Sequence, residues 1–308
     1  MIYLKADAVF EGGGMRGIGI IGALTYMEKS GYIWQNTAGS SVGALIASLI
    51  AAGYSSKDLK EMVINLNFLK FLDTSGLQRF PLFGKALGFF KEKGIYSGDY
   101  LEEWIKKLLN DKNIDSFKDL KFYNKPSLKI IASDITRKRI LVLPDGLSEY
   151  GLDCDNFSVA KAVRMSTSIP FYFKPVEFKH KYGTSYIVDG GICCNFPIDI
   201  FDIEGVPPWP TFGFKFQFPK TSYTASGKTD PLSFLFDIAD TMKNESNAPW
   251  SREENKARTI FIPSATVDSV EFNISKEKSI ALFKSGYKSA KEFLNTWSLE
   301  DYIKKYRN

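Results

Sequence analysis

One histidine, His180, occurs in the whole 308-residue chain, so histidine-assisted catalysis has a single candidate. It stands between Lys179 and Lys181, flanks that suit a solvated turn better than a buried base. Cysteine is nearly as scarce. Cys154, Cys193 and Cys194 form no C-x-x-C pair and leave an odd count, which argues against a disulfide framework and a zinc site. Reduced thiols are expected, with no metal and no cofactor. Long apolar runs are missing too: nothing approaches the ~18 residues of a membrane span. The start, Met1 to Asp7, passes straight into a strand without the charged, apolar and small-residue segments of a secretory leader. A cytoplasmic location is expected. The net charge of +5 comes without any basic run dense enough to argue nucleic acid. A mild preference for anionic surfaces, membrane or phosphorylated lipid, is what remains.

With 44% hydrophobic and 24% charged residues, the chain can build a sizeable core and carries no signature of disorder. No internal repeat, low-complexity tract or clear linker divides it. One domain over residues 1–308 is expected, with a core from about 6 to 265.

The most informative stretch is Gly39-Ser40-Ser41-Val42-Gly43, a G-x-S-x-G pattern. Tyr32 to Ala38 before it reads as a short buried strand, and Ala44 to Ala52 after it is apolar on every face, as a buried helix is. A serine forced onto a sharp strand-to-helix turn exposes its hydroxyl, and the flanking glycines remove the Cβ atoms that would crowd the bend. The helix N-terminus adds unpaired N–H groups beside Ser41. The same residues also let a strand and helix pack closely with no catalysis at all.

Upstream, Ala8-Val9-Phe10 is a strand that delivers Glu11-Gly12-Gly13-Gly14-Met15-Arg16-Gly17, and a helix follows from Ile18 to Lys29. Gly12, Gly14 and Gly17 satisfy G-x-G-x-x-G for a dinucleotide, while successive glycines equally aim backbone N–H groups at an oxyanion. The dinucleotide reading needs an acid about 20 residues on. Trp34 to Ser41 offers none.

Ser55 to Asp58 reads as a helix start, with the helix running towards Leu72. Between residues 68 and 95 the character changes. Phe71, Phe80, Phe83, Phe89 and Phe90 alternate with Lys and Arg and are broken by Gly and Pro, which suits an interfacial lid or a loop-rich flap over the core. Ser97 to Asn110 reads as a capped amphipathic helix, Leu128–Ser133 and Ile140–Leu143 as strands, and Val159–Met165 as a short helix. Val176–Phe178 and Tyr186–Val188 form a hairpin turning near Lys181. Phe212–Phe218 and Thr259–Pro263 are later strands, Pro231–Asn244 a helix, and Ser275–Trp297 a long final helix.

The second hairpin strand ends in Asp189-Gly190-Gly191, an acid at a strand terminus, where sites sit in open α/β sheets. His180, at the hairpin turn, is roughly 20 Å from it along the strand, too far for a shared triad. A direct Ser41–Asp189 dyad is one reading, since burial makes a carboxylate a better base. An ordinary Asp-Gly turn is the other.

Together, Gly12 to Gly17, Gly39 to Gly43 and Asp189-Gly190-Gly191 resemble the patatin-like phospholipase family in order and spacing. Gly94 to Gly98, Ala162 to Pro170 and Asn195-Phe196-Pro197 are similar as well. The resemblance implies a three-layer α/β/α fold with a mostly parallel central sheet and a phospholipid or other acyl-lipid substrate, met peripherally at membranes. It implies Ser41 as nucleophile, Asp189 as base, and the N–H groups of Gly12, Gly13 and Gly14 as oxyanion hole. Arg16 would hold the loop or meet the lipid phosphate. It assigns Glu11 nothing.

Overall fold

A computed structural model of the chain describes residues 4–73, 93–122, 125–126, 128–217, 248–264 and 267–307. Strand β1 (Leu4–Phe10) leads through the glycine loop into α1 (Gly17–Lys29), and β2 (Tyr32–Ser40) runs through Ser41 into α2 (Val42–Ala51) and then α3 (Ser56–Asn65). After β3 (Gly94–Tyr96) and α4 (Asp99–Asn110) come β4 (Leu128–Asp134), β5 (Arg139–Leu143), α5 (Val159–Ser166) and β6 (Phe171–Phe173). The hairpin β7 (Val176–His180) and β8 (Gly183–Asp189) precedes β9 (Thr211–Gln217), α6 (Glu253–Ala257), β10 (Thr259–Pro263), α7 (Lys276–Leu294) and α8 (Leu299–Tyr306).

The central sheet has eight described strands, in the order β10-β9-β1-β2-β4-β8-β7, with β5 also paired to β4. The run from β10 to β4 is parallel, and the pairs β4–β8, β8–β7 and β4–β5 are antiparallel. Alternation along β1 separates two faces. Ala6, Ala8 and Phe10 join the main core with helices α1 and α2, whereas Val9 and Ala38 meet Phe196, Ile198 and Trp250 on the other side. A sheet covered on both faces is the α/β/α layering that the motifs imply.

One detail of register places the chemistry. Ser40 at the end of β2 pairs with Ile131 of β4, and Asp189 at the end of β8 pairs with the next residue, Ala132. Ile131 and Ala132 face Val142 and Leu141 of β5 across their other edge. Strands β2 and β8 therefore share one edge of β4, run in opposite directions and meet end to end.

Several boundaries differ from the sequence reading. The helix from Ser55 stops at Asn65 instead of continuing towards Leu72, because Leu66 turns extended and the Asn67 side chain accepts the Leu69 N–H to start a separate turn at Phe68–Phe71. The helix expected from Ser97 begins at Asp99, held by the distant carboxylate of Asp73, which accepts bonds from the Ser97 hydroxyl and the N–H groups of Gly98 and Tyr100. The final helix ends at Leu294, and a second capped helix, α8, follows it. The expected helix over Pro231–Asn244 and residues 74–92 of the expected lid lie outside the described residues. No described helix is long and apolar enough to cross a membrane.

Candidate active site

The G-x-S-x-G turn is built by contact, not by flexibility alone. A Cβ on Gly39 would lie 2.3 Å from the Gly43 carbonyl carbon, and one on Gly43 would lie 2.4 Å from the Phe10 carbonyl oxygen. Only bare backbone lets α2 leave β2 this abruptly. Ser41 itself sits at φ 54°, ψ −126°, a conformation that L residues avoid and that costs about 1–3 kcal/mol. Its N–H donates to the Ser166 hydroxyl at 2.8 Å, and that hydroxyl in turn donates to the Ile131 carbonyl at 2.6 Å. The strained turn is thereby tied to α5 and to β4.

Because β2 and β8 converge on β4, the Ser41 hydroxyl donates to Asp189 Oδ2 at 2.6 Å. Oδ1 of the same carboxylate accepts the Gly191 N–H at 2.9 Å. The Asp189 main chain is fixed on both sides, its N–H by the Ser168 carbonyl and its carbonyl by the Ser133 hydroxyl, each at 2.9 Å. Gly190 must be glycine, since a Cβ there would come within 2.1 Å of the Ile131 carbonyl oxygen. Both Ser41 and Asp189 are buried.

The glycine loop lies alongside Ser41: a Cβ on Gly12 would be 3.1 Å from Ser41 Cβ. The Gly12 N–H is already given to the Asn195 carbonyl at 3.1 Å, so the oxyanion reading narrows to its neighbours. Among the described residues the N–H groups of Gly13 and Gly14 have no acceptor. Gly14 adopts φ +55°, and a Cβ would strike the Ser269 carbonyl oxygen at 1.9 Å. Arg16 Nε donates to the Val267 carbonyl at 2.9 Å and the Met15 N–H to the Ser269 carbonyl at 3.0 Å, which pins the loop to the segment after β10. Gly17 packs its open face on Val42.

Two parts of this neighbourhood were not read from the sequence. Glu11 and Lys215 form a buried ion pair behind the glycine loop, with the Phe216 N–H donating to Glu11 Oε2 at 2.6 Å. Burial pushes the Glu11 carboxyl up, and the adjacent Lys215 ammonium opposes that rise. Trp250 lies 4.7 Å from the same ammonium. The available signal was a lysine inside the apolar strand Phe212–Phe216. The other is an apolar cavity beside Ser41 that is open to solvent. His180 stays in the hairpin, paired across it with Gly183 and bonded to Ser185. Among the described residues no cluster of His, Cys, Asp or Glu is arranged to hold a metal ion.

A family model described as patatin-like phospholipase matches residues 8–202, which hold all of these motifs. The chain belongs to the patatin-like phospholipase family. The protein is 36% identical to the uncharacterized protein YqhO of Bacillus subtilis, over 95% of this chain and 99% of that one. It is 26% identical to the probable lipid hydrolase 463L of Invertebrate iridescent virus 6, over 62% and 61% of the two chains. Among solved structures, VipD from Legionella pneumophila superposes with a TM-score of 0.57 at 19% identity, over 94% of this chain and 67% of that one. ExoU, in complex with SpcU from Pseudomonas aeruginosa, gives 0.54 at 15% identity, over 95% and 52%. Membership of this family places the chain, at family level, among lipid acyl hydrolases.

Proposed function

We propose that this protein is a serine esterase that cleaves acyl chains from phospholipids, with Ser41 as nucleophile and Asp189 as its general base. The observation that carries the reading is the 2.6 Å hydrogen bond from the Ser41 hydroxyl to Asp189 Oδ2, with Ser41 lining an apolar cavity. Asp189 takes the hydroxyl proton as Oγ attacks the ester carbonyl. The Gly13 and Gly14 N–H groups and the N-terminus of α2 face the oxygen that becomes negative. Asp189 then returns the proton to the departing lysolipid oxygen, leaving the acyl group on Ser41. A water molecule gives its proton to Asp189 and its oxygen to the acyl carbon, and release of the fatty acid restores the serine. Arg16 acts as loop support in this scheme, because its Nε is committed to the Val267 carbonyl. The rings and cations of residues 68–95 supply peripheral contact with lipid.

The test is release of free fatty acid from mixed anionic phospholipid vesicles. Wild-type protein should hydrolyse them, while Ser41→Ala and Asp189→Asn, with unchanged circular dichroism, should each lose at least a thousandfold in kcat. Full activity in either variant would overturn the dyad.

A further inference from the structure

Three consecutive glycines make the most pliant backbone a chain can have, yet an oxyanion donor serves only if its N–H is held in one direction. Two peptides of the glycine loop carry the N–H groups that have no acceptor among the described residues. The Gly13–Gly14 peptide is held by main chain, since the Gly13 carbonyl accepts the Arg16 N–H at 3.2 Å. The Gly12–Gly13 peptide is held by a side chain. Asn195 Nδ2 donates to the Gly12 carbonyl at 3.1 Å, and the Asn195 main-chain carbonyl accepts the Gly12 N–H at 3.1 Å as well.

A trans peptide points its carbonyl and its N–H in opposite directions, so the grip on the Gly12 carbonyl also aims the Gly13 N–H away from Asn195. A flip of that peptide, easy between glycines, would withdraw the donor and turn a carbonyl dipole on the developing oxyanion. Nδ2 has the Gly12 carbonyl and, at 3.5 Å, Glu11 Oε1 around it, two acceptors that only the nitrogen end of the amide can serve. Oδ1 is buried with no hydrogen-bond partner among the described residues. An unpaired buried acceptor is unfavourable, so folding alone does not favour asparagine here. Glu11 is itself fixed by Lys215 and by the Phe216 N–H, and the Phe216 ring backs Gly13, where a Cβ would come within 2.4 Å of it. The segment that bears Asn195 starts at the base. Its Cys194 N–H donates to the Gly190 carbonyl at 2.9 Å, and its Cys194 carbonyl accepts the Ser40 hydroxyl at 2.6 Å, next to the nucleophile.

We propose that Asn195 is a positioning residue for catalysis: its Nδ2 locks the Gly12–Gly13 peptide so that the Gly13 N–H stays a donor to the oxyanion formed at Ser41. This role rests on the esterase reading for the oxyanion, and on the hydrogen bonds alone for the hold on Gly12.

Spectroscopy and turnover test the two parts separately. Asn195→Ala removes the donor, and Asn195→Leu removes it while keeping close to the same volume. The chain has three Gly-Gly peptides, Gly12–Gly13, Gly13–Gly14 and Gly190–Gly191, so protein grown on glycine labelled at its carbonyl carbon and its nitrogen shows only these in a carbonyl–amide NMR correlation. Both variants should move the Gly12–Gly13 peak and leave the Gly190–Gly191 peak in place. Turnover is read with p-nitrophenyl butanoate, and the oxyanion with an alkyl trifluoromethyl ketone. Ser41 Oγ adds to the carbonyl carbon of that ketone, the carbonyl electron pair moves to its oxygen and the hydroxyl proton to Asp189, which leaves a stable tetrahedral oxyanion. The methyl ketone of the same chain binds without the addition. In both variants kcat and trifluoromethyl ketone affinity should fall together by about a hundredfold, while methyl ketone affinity holds. The urea midpoint of Asn195→Leu should stay close to that of wild type, because the unpaired Oδ1 is removed along with the donor. An unmoved Gly12–Gly13 peak, or a moved one with kcat and trifluoromethyl ketone affinity within about threefold of wild type, would overturn this role. So would an equal loss of methyl ketone affinity, the mark of general damage to the site. A moved peak in a protein whose wild type neither cleaves the ester nor adds the ketone would support the hold on Gly12 and sink the esterase reading.

Discussion

Glu11 and Lys215 face each other behind the glycine loop, with almost no exposure to water at either side chain. Breaking a buried pair from one side is far more damaging than removing both charges. Lys215→Met should therefore destabilise the fold by about 3–5 kcal/mol in urea titrations, because it strands a carboxylate in apolar surroundings. Glu11→Gln together with Lys215→Met should recover most of that loss, since the glutamine carbonyl can still accept the Phe216 N–H. If the double variant is no better than the single, the pair is not the unit that matters. At this scale the sequence was legible where stereochemistry leaves little choice. Ser41 needs bare backbone on both sides, and the glycines announce it. Asp189 needs Gly190 because the Ile131 carbonyl stands 2.1 Å from a Cβ there. Glu11 was illegible because its meaning lies in a residue 204 positions away.

Between elements, the seam of α1 and α7 shows the same division. Each stretch reads as a helix on its own, yet neither sequence names the other as partner. The contact is so close that a Cβ on Gly286 would lie 1.8 Å from the Gly19 carbonyl oxygen, and one on Gly22 would lie 2.0 Å from that of Phe283. Glycine is normally poor inside a helix, by roughly 0.5–1 kcal/mol against alanine. Here its small size outweighs that penalty. Gly286→Ala should lower stability by about 1–3 kcal/mol despite its better helix propensity, as read by the midpoint of thermal unfolding. An unchanged or raised midpoint would mean that the helices part without loss. Boundaries were misread for a related reason. Asp73 caps α4 from outside the helix, and Asn67 begins a new turn where apolar spacing alone would have carried α3 onward.

For the whole molecule, Asp202 joins three parts of the chain that periodicity cannot connect. It closes the segment that follows the Asp189 motif, and its carboxylate is gripped by Arg258, at the junction of α6 and β10, at 2.5 and 2.7 Å. Arg307, past the end of α8, reaches the same carboxylate at 3.0 Å. Arg258 is fully buried and also bonds the Asn255 side chain, so it depends on Asp202 for its countercharge. The covering of the second sheet face, which holds Phe196 and Ile198 beneath the catalytic strands, is thus fastened to the C-terminal helices. We expect residues 4–307 to unfold as one unit for this reason, with a single transition by fluorescence and by circular dichroism. Asp202→Ala should shift that transition down by about 2 kcal/mol, reduced from the value for a fully buried pair by the partial exposure of the carboxylate, while keeping it single. Two separated transitions in the wild type would show instead that the motif-bearing half and the C-terminal helices fold independently.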